Sequence, residues 1–226
     1  MSLNQILAIT ESIGINDQRF VGQVLSRNQR IATTEVLTVV PFQFTMKPMN
    51  YLYYSDNRDL LATLRYYDKA LTQYLNFGTT GWINYIKYQG NMTGAQIAAC
   101  QWQTSSANQT LVLGSLPAIS STAYIVRAGD FCQVGLYSYI ATQDVQRGSG
   151  STVNIPVHRT LLTTVVSPIN AVIGEYGTTV VMGGGTYTGV TFPVILREYP
   201  TYTLIPITND SFIQWNGNFV AMEAVL

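Results

Sequence analysis

From Tyr124 to the C-terminus, apolar residues recur at every second position in short runs that stop at Gly, Pro, Asn or Ser clusters. Period two with frequent turns is the pattern of β-strands and excludes a helical bundle. The segment "YIVRAGDFCQVGLYSYIATQDVQRGSGSTVNIPVHRTL" reads as three or four short strands. Its turns fall at Ala128–Asp130, Gly135 and Arg147–Ser151. Within it, Tyr139 to Arg159 reads as one hairpin that reverses at Gly148 and Gly150. "GEYGTTVVMGGGTYTGVTFPVILREYPTYTLIPI" adds strands around a Gly-rich loop, 183–189. "SFIQWNGNFVAMEAVL" predicts a closing hairpin that turns at Asn216-Gly217, because Asn-Gly takes positive φ cheaply. Many short strands predict a sandwich or barrel.

The first half carries one helix signal. Leu60, Leu64, Tyr67, Leu71 and Tyr74 share a helical face, which predicts an amphipathic helix over about 56–75. Ser55 or Asp56 would cap its start, and Gly78 would sit just past its end. Before it, Val40, Phe42, Phe44 and Met46 alternate with Pro41, Gln43 and Thr45 as on a half-buried strand. Pro41 places that strand at an edge or a bulge. "SRNQR" predicts the turn of a long hairpin upstream. After the helix, "GWINYIKYQG" reads as a strand. "TGAQIAAC" reads as a helical turn or two, and 101–114 as a strand pair. The fold class is therefore mainly β with one amphipathic helix: a β-barrel or sandwich hub plus a smaller inserted or appended β-barrel. The expected division is 1–117 plus 191–226 for the hub and 118–190 for the insert. A plain split near 118 is the alternative.

Composition narrows the function. Charged residues are 11%, against about 25% in an average domain, while hydrophobic residues are 47% and Tyr numbers 15. Such a chain is globular and is expected to hide much of its surface against other subunits. Net charge is zero, which argues against a basic nucleic-acid binder. No apolar run is long enough to predict a membrane span, and "MSLNQILAITESIG" reads as no secretory signal. Cys100 and Cys132 lack metal or redox spacing and read as buried thiols.

Chemistry is sparse. His158 lies near Asp130 and Asp144, but no G-x-S-x-G elbow accompanies them, and local hydrogen bonding at a strand end is the plainer reading. "GSGS" and "GGGTYTG" lack the Lys and the helix of a phosphate loop. One His and two distant Cys make no zinc site. Asp56, Asp59 and Asp68 lack calcium-loop spacing. No pair among the 12 acids is singled out for glycoside hydrolysis. The expectation is no enzyme, no catalytic residue, no cofactor and no metal. The Tyr clusters "NYLYY" (50–54) and "YPTYT" (199–203) could stack on sugars, but packing at subunit contacts is the favoured reading.

Three segments resemble tail proteins of tailed bacteriophages, of the distal-tail or baseplate-hub kind. They are the strand–helix order "VVPFQFTMKP…NRDLLATLR", the run "VRAGDFCQVGLYSYIATQDVQRGSGSTVNIPVHR", and the terminal "IQWNGNFVAMEAV". The resemblance implies a structural subunit of the virion tail, made in the host cytoplasm. It implies a ring homo-oligomer, usually sixfold, joining the tail tube to the baseplate or tip. Its partners would be itself and other tail proteins, with DNA only passing through the channel and no membrane. Arg27 and Arg30, at the tip of the early hairpin, are then candidates for a subunit contact or for facing the lumen. A solvated turn is the alternative for them. A receptor- or carbohydrate-binding module of the tail is the second functional reading.

Overall fold

A computed structural model describes residues 3–17, 21–25, 31–35, 41–66, 71–79, 83–105, 109–165, 168–182 and 185–224. They are mostly strand, as the sequence predicts, with three α-helices among the described residues. The chain forms two compact units, Met1–Leu75 with Pro193–Leu226, and Asn76–Phe192.

The first unit is built on a five-stranded sheet. Its order is Thr10–Asn16, Gln43–Pro48, Phe219–Glu223, Thr191–Glu198, Gln73–Asn76. Phe42, Phe44 and Met46 are fully buried, while Gln43 and Thr45 are half-buried, so the alternation seen in sequence is the core face. The 43–48 strand is interior, paired to 10–16 on one side and 219–223 on the other, which corrects the edge expected from Pro41. Pro41 lies just before the ladder, where its missing N–H costs nothing. A short helix, Leu3–Ala8, buries Leu3, Ile6 and Leu7. Neither it nor the 10–16 strand was expected. The strands Val21–Leu25 and Ile31–Glu35 pair in register, Leu25 against Ile31, consistent with the early hairpin.

The main helix is Tyr54–Tyr66 rather than 56–75. Leu60 and Leu61 are buried, but Leu71 is 55% exposed and Gln73–Asn76 is a strand of the sheet. Backbone pairing at the sheet edge overrides the helical spacing of Leu71 and Tyr74, since propensity is a weak prior. Gly78 is no helix cap either. It sits in a 3-10 turn, Phe77–Thr79, and its N–H donates to Asn76 Oδ1 at 2.9 Å.

The C-terminal region is one long bent hairpin. Strands Thr201–Ile207 and Asp210–Asn216 pair from Thr201↔Asn216 to Ile207↔Asp210. Strands Thr191–Glu198 and Phe219–Glu223 continue the same register, with Leu196 against Ala221. Four residues on each arm separate the Leu196 and Thr201 pairs, so the arms stay matched across the break. Pro200 on one arm and Gly217 (φ +104°) on the other interrupt the ladder. Beyond the break the tip half joins Leu52–Tyr53 in a separate three-stranded sheet. Asn216-Gly217 is thus a bend and not the predicted reversal. The reversal is Thr208-Asn209, with Asn209 at φ +66°.

The second unit packs around Trp102, Leu111, Ile125, Cys132, Tyr139 and Ile155, among others, all essentially inaccessible. One four-stranded sheet runs Val153–Pro156, Thr110–Gly114, Gln101–Gln103, Ile169–Asn170, and another Tyr137–Ile140, Phe131–Val134, Val172–Ile173, Tyr176–Gly177. Because 101–114 pairs with 153–156 and 169–170, it belongs to this unit. The insert therefore begins near 76 rather than 118, and ends at 192 rather than 190. The expected 139–159 hairpin exists only at its base, where Ala141 bridges Val157. Its arms then part, Val145–Gln146 joining Tyr124–Val126 and Val153–Pro156 joining 110–114. Only Gly148 of the two turn glycines has positive φ. Residues 83–90 are irregular rather than a strand, although Ile86 and Tyr88 are buried. Helix Gly94–Ala99 begins with a capping box of Thr93 and Gln96.

Candidate functional site

The polar residues that suggested chemistry serve the backbone. His158 Nδ1 accepts the Ile140 N–H at 2.9 Å. Asp130 is 1% exposed and accepts the Arg127 N–H at 2.8 Å and the Gln89 N–H at 2.9 Å. Burial raises its carboxyl pKa, and those two bonds oppose the rise. Asp144 accepts the Ala128 N–H at 2.8 Å. The Arg-Ala-Gly-Asp segment is thus a turn tied by two carboxylates, with Gly129 at φ +96°. Cys100 and Cys132 are buried free thiols whose pKa values burial pushes up, which disfavours thiolate. Among the described residues, no three His, Cys, Asp or Glu cluster as metal ligands, and no helix is long and apolar enough to cross a membrane. Arg27 and Arg30 lie outside the described residues.

Two features of the first unit are arranged as surfaces. The first is an aromatic cluster on the three-stranded sheet. Ile205, Phe212 and Tyr53 form one cross-strand row. Phe212 lies 5.0 Å from the Tyr53 ring and 6.0 Å, edge-on, from Tyr51. Alternation puts Phe212 on the face opposite Ile213 and Trp215. Tyr51 is 60% exposed and Tyr53 48%. Tyr51 has φ +64°, a conformation that bulky residues adopt only under constraint. Its N–H donates to Ile213 O at 2.9 Å, which fixes the ring outside.

The second is a groove of about 270 Å³ between the main helix and the bend of the long hairpin. The helix contributes Leu61, Leu64 and Arg65, and the hairpin contributes Tyr199, Pro200, Tyr202, Trp215 and Phe219. Tyr202 and Trp215 are cross-strand partners with ring centroids 5.7 Å apart. Trp215 also meets Phe219 edge-on at 5.6 Å. Arg65 donates to the Tyr202 hydroxyl at 2.9 Å. Pro200, at the break of the ladder, is part of the lining. Of the two Tyr clusters singled out in sequence, 199–203 lines this groove and 50–54 supplies the exposed face. Trp215 was missed because only the hairpin register brings it to Tyr202, and Leu61 and Arg65 because only the packing of the helix brings them to the groove.

No protein-family model matches the chain, and no curated protein matches it.

Proposed function

We propose that this protein is a structural subunit of a bacteriophage tail or baseplate ring, joining the tail tube to the distal tip. The observation that carries the reading is the pair of exposed rings Tyr51 and Tyr53 packed on the half-buried Phe212, Tyr51 being held by a constrained backbone, on a charge-poor chain. Aromatic, charge-depleted patches are the composition of interface cores. A head-to-tail contact that closes on itself produces a ring, sixfold in the proteins this sequence resembles. In that role the cluster packs on a neighbouring subunit and the second unit is an inserted module. The protein acts through assembly, within the virion tail.

The test is light scattering of the purified chain beside Phe212→Lys and Tyr53→Glu. Multimers that both substitutions dissociate, without loss of folding, support the reading. Multimers unaffected by both, or a wild-type chain that stays monomeric at the highest attainable concentration, overturn it.

A further inference from the structure

We propose that Asn216-Gly217, at the break of the long hairpin, is a site of spontaneous covalent modification that converts Asn216 to aspartate and isoaspartate. Of the Asn residues in the chain, only Asn216 precedes a glycine. Both residues are exposed. Glycine has no side chain to shield its peptide nitrogen. Here that nitrogen also lies outside the ladder. Thr201↔Asn216 is the last pair on one side of the break, and pairing between the arms resumes at Val220. Among the described residues no carbonyl takes the Gly217 N–H. The space around Gly217 is open, because a Cβ placed there would meet nothing nearer than Pro200 Cα at 3.8 Å.

The Gly217 nitrogen, giving its proton to water or hydroxide, attacks Asn216 Cγ. A C–N bond forms, the Cγ–Nδ2 bond breaks, and ammonia leaves with a proton taken from water. Water then opens the resulting succinimide. Addition at Cγ gives aspartate, and addition at the main-chain carbonyl carbon gives isoaspartate. Water is the only co-reactant. Two features restrain the attack. Asn216 is strand, which turns the Gly217 nitrogen away from Cγ, and its Nδ2 donates to Thr203 Oγ1 at 3.3 Å, a long bond. The reaction therefore waits for the Thr201–Asn216 pair to open. That pair ends a ladder, and ladder ends open at small free-energy cost. The isoaspartyl product routes the chain through one extra carbon on one arm only, so the arms no longer match across the break. It also adds a negative charge to a neutral chain. Modification thus loosens the tip sheet. The proposal is independent of the assembly reading, because the product is read by mass in any oligomeric state.

The experiment ages the full chain at mildly alkaline pH, folded in buffer and unfolded in guanidinium. Peptides are followed by mass and by enzymatic isoaspartate methylation. The Asn216 peptide should turn to acid in the folded chain about tenfold more slowly than in the unfolded one, the factor for opening one terminal pair. Asn154 is equally exposed on a strand but precedes the β-branched Ile155, and it should stay an amide in the folded chain. Aged wild type should melt a few degrees below fresh protein. Aged Asn216→Gln, whose longer side chain closes a larger ring slowly, should melt as when fresh. The proposal fails if Asn216 is intact in the folded chain once the unfolded sample has fully converted. It fails equally if Asn154 converts as fast as Asn216, or if aspartate forms without isoaspartate.

Discussion

Asp210, at the tip of the long hairpin, holds Ser55 at the start of the main helix. Its carboxylate accepts the Ser55 hydroxyl at 2.7 Å and the Ser55 N–H at 3.3 Å, across 155 residues of sequence. The first N–H groups of a helix have no internal partner, and an anion suits the helix N-terminus. Here that anion comes from another element, so the predicted local cap at Ser55 or Asp56 is replaced by a long-range one. The contact couples the hairpin tip to the start of the helix.

The Ser55 hydroxyl, then the Ser211 N–H, hold the Asp210 carboxyl below its ordinary pKa. A depressed folded pKa contributes stability above the unfolded value and loses it as pH falls through the folded one. Asp210→Asn should therefore melt a few degrees below wild type at neutral pH. The difference should shrink on acidification, as read by melting temperature against pH. Ser55→Ala should reproduce the neutral-pH loss.

Asp130 should show the opposite sign. Burial raises its folded pKa, so its stabilising form is the protonated one. That contribution is complete below the unfolded pKa and is lost as pH rises through the folded pKa. Asp130→Asn should gain stability relative to wild type as pH rises through that range, measured by urea unfolding at a series of pH values. Asp130→Ala, which strands the Arg127 and Gln89 N–H groups, should cost about 1–3 kcal/mol.

The ends of the second unit are tied to each other. Asn76 donates to Thr191 Oγ1 at 2.8 Å and to Thr188 O at 3.0 Å, and its Oδ1 accepts from Gly78. Thr191 in turn donates its N–H to Gln133 Oε1 at 2.8 Å. With its own core and a clasp at its termini, residues 76–192 expressed alone should fold cooperatively, as judged by a single thermal transition. Asn76→Ala in that fragment should cost about 1–3 kcal/mol, because several buried partners lose their bond at once.

These contacts show where sequence was informative. The alternation Phe42, Phe44, Met46 and the short helical stretch in "TGAQIAAC" are local patterns whose physics is complete within a few residues, and the structure has both. The helix end, the bend at Asn216-Gly217 and the start of the second unit depend on partners far along the chain. Gln73–Asn76 becomes strand because a sheet edge accepts it. Gly217 bends rather than reverses because Thr208-Asn209 already closes the register. Residues 101–114 belong with 153–170 because of pairings that no local pattern encodes. The groove was half legible: the 199–203 Tyr cluster stood out, but its partner Trp215 follows only from that same register.

Native mass spectrometry of the purified chain, with Phe212→Lys as control, tests the assembly account most directly. The account predicts a closed ring, six chain masses for wild type, that collapses to monomer in the variant. A wild-type spectrum of monomer alone, or rings of the same mass from Phe212→Lys, would contradict it.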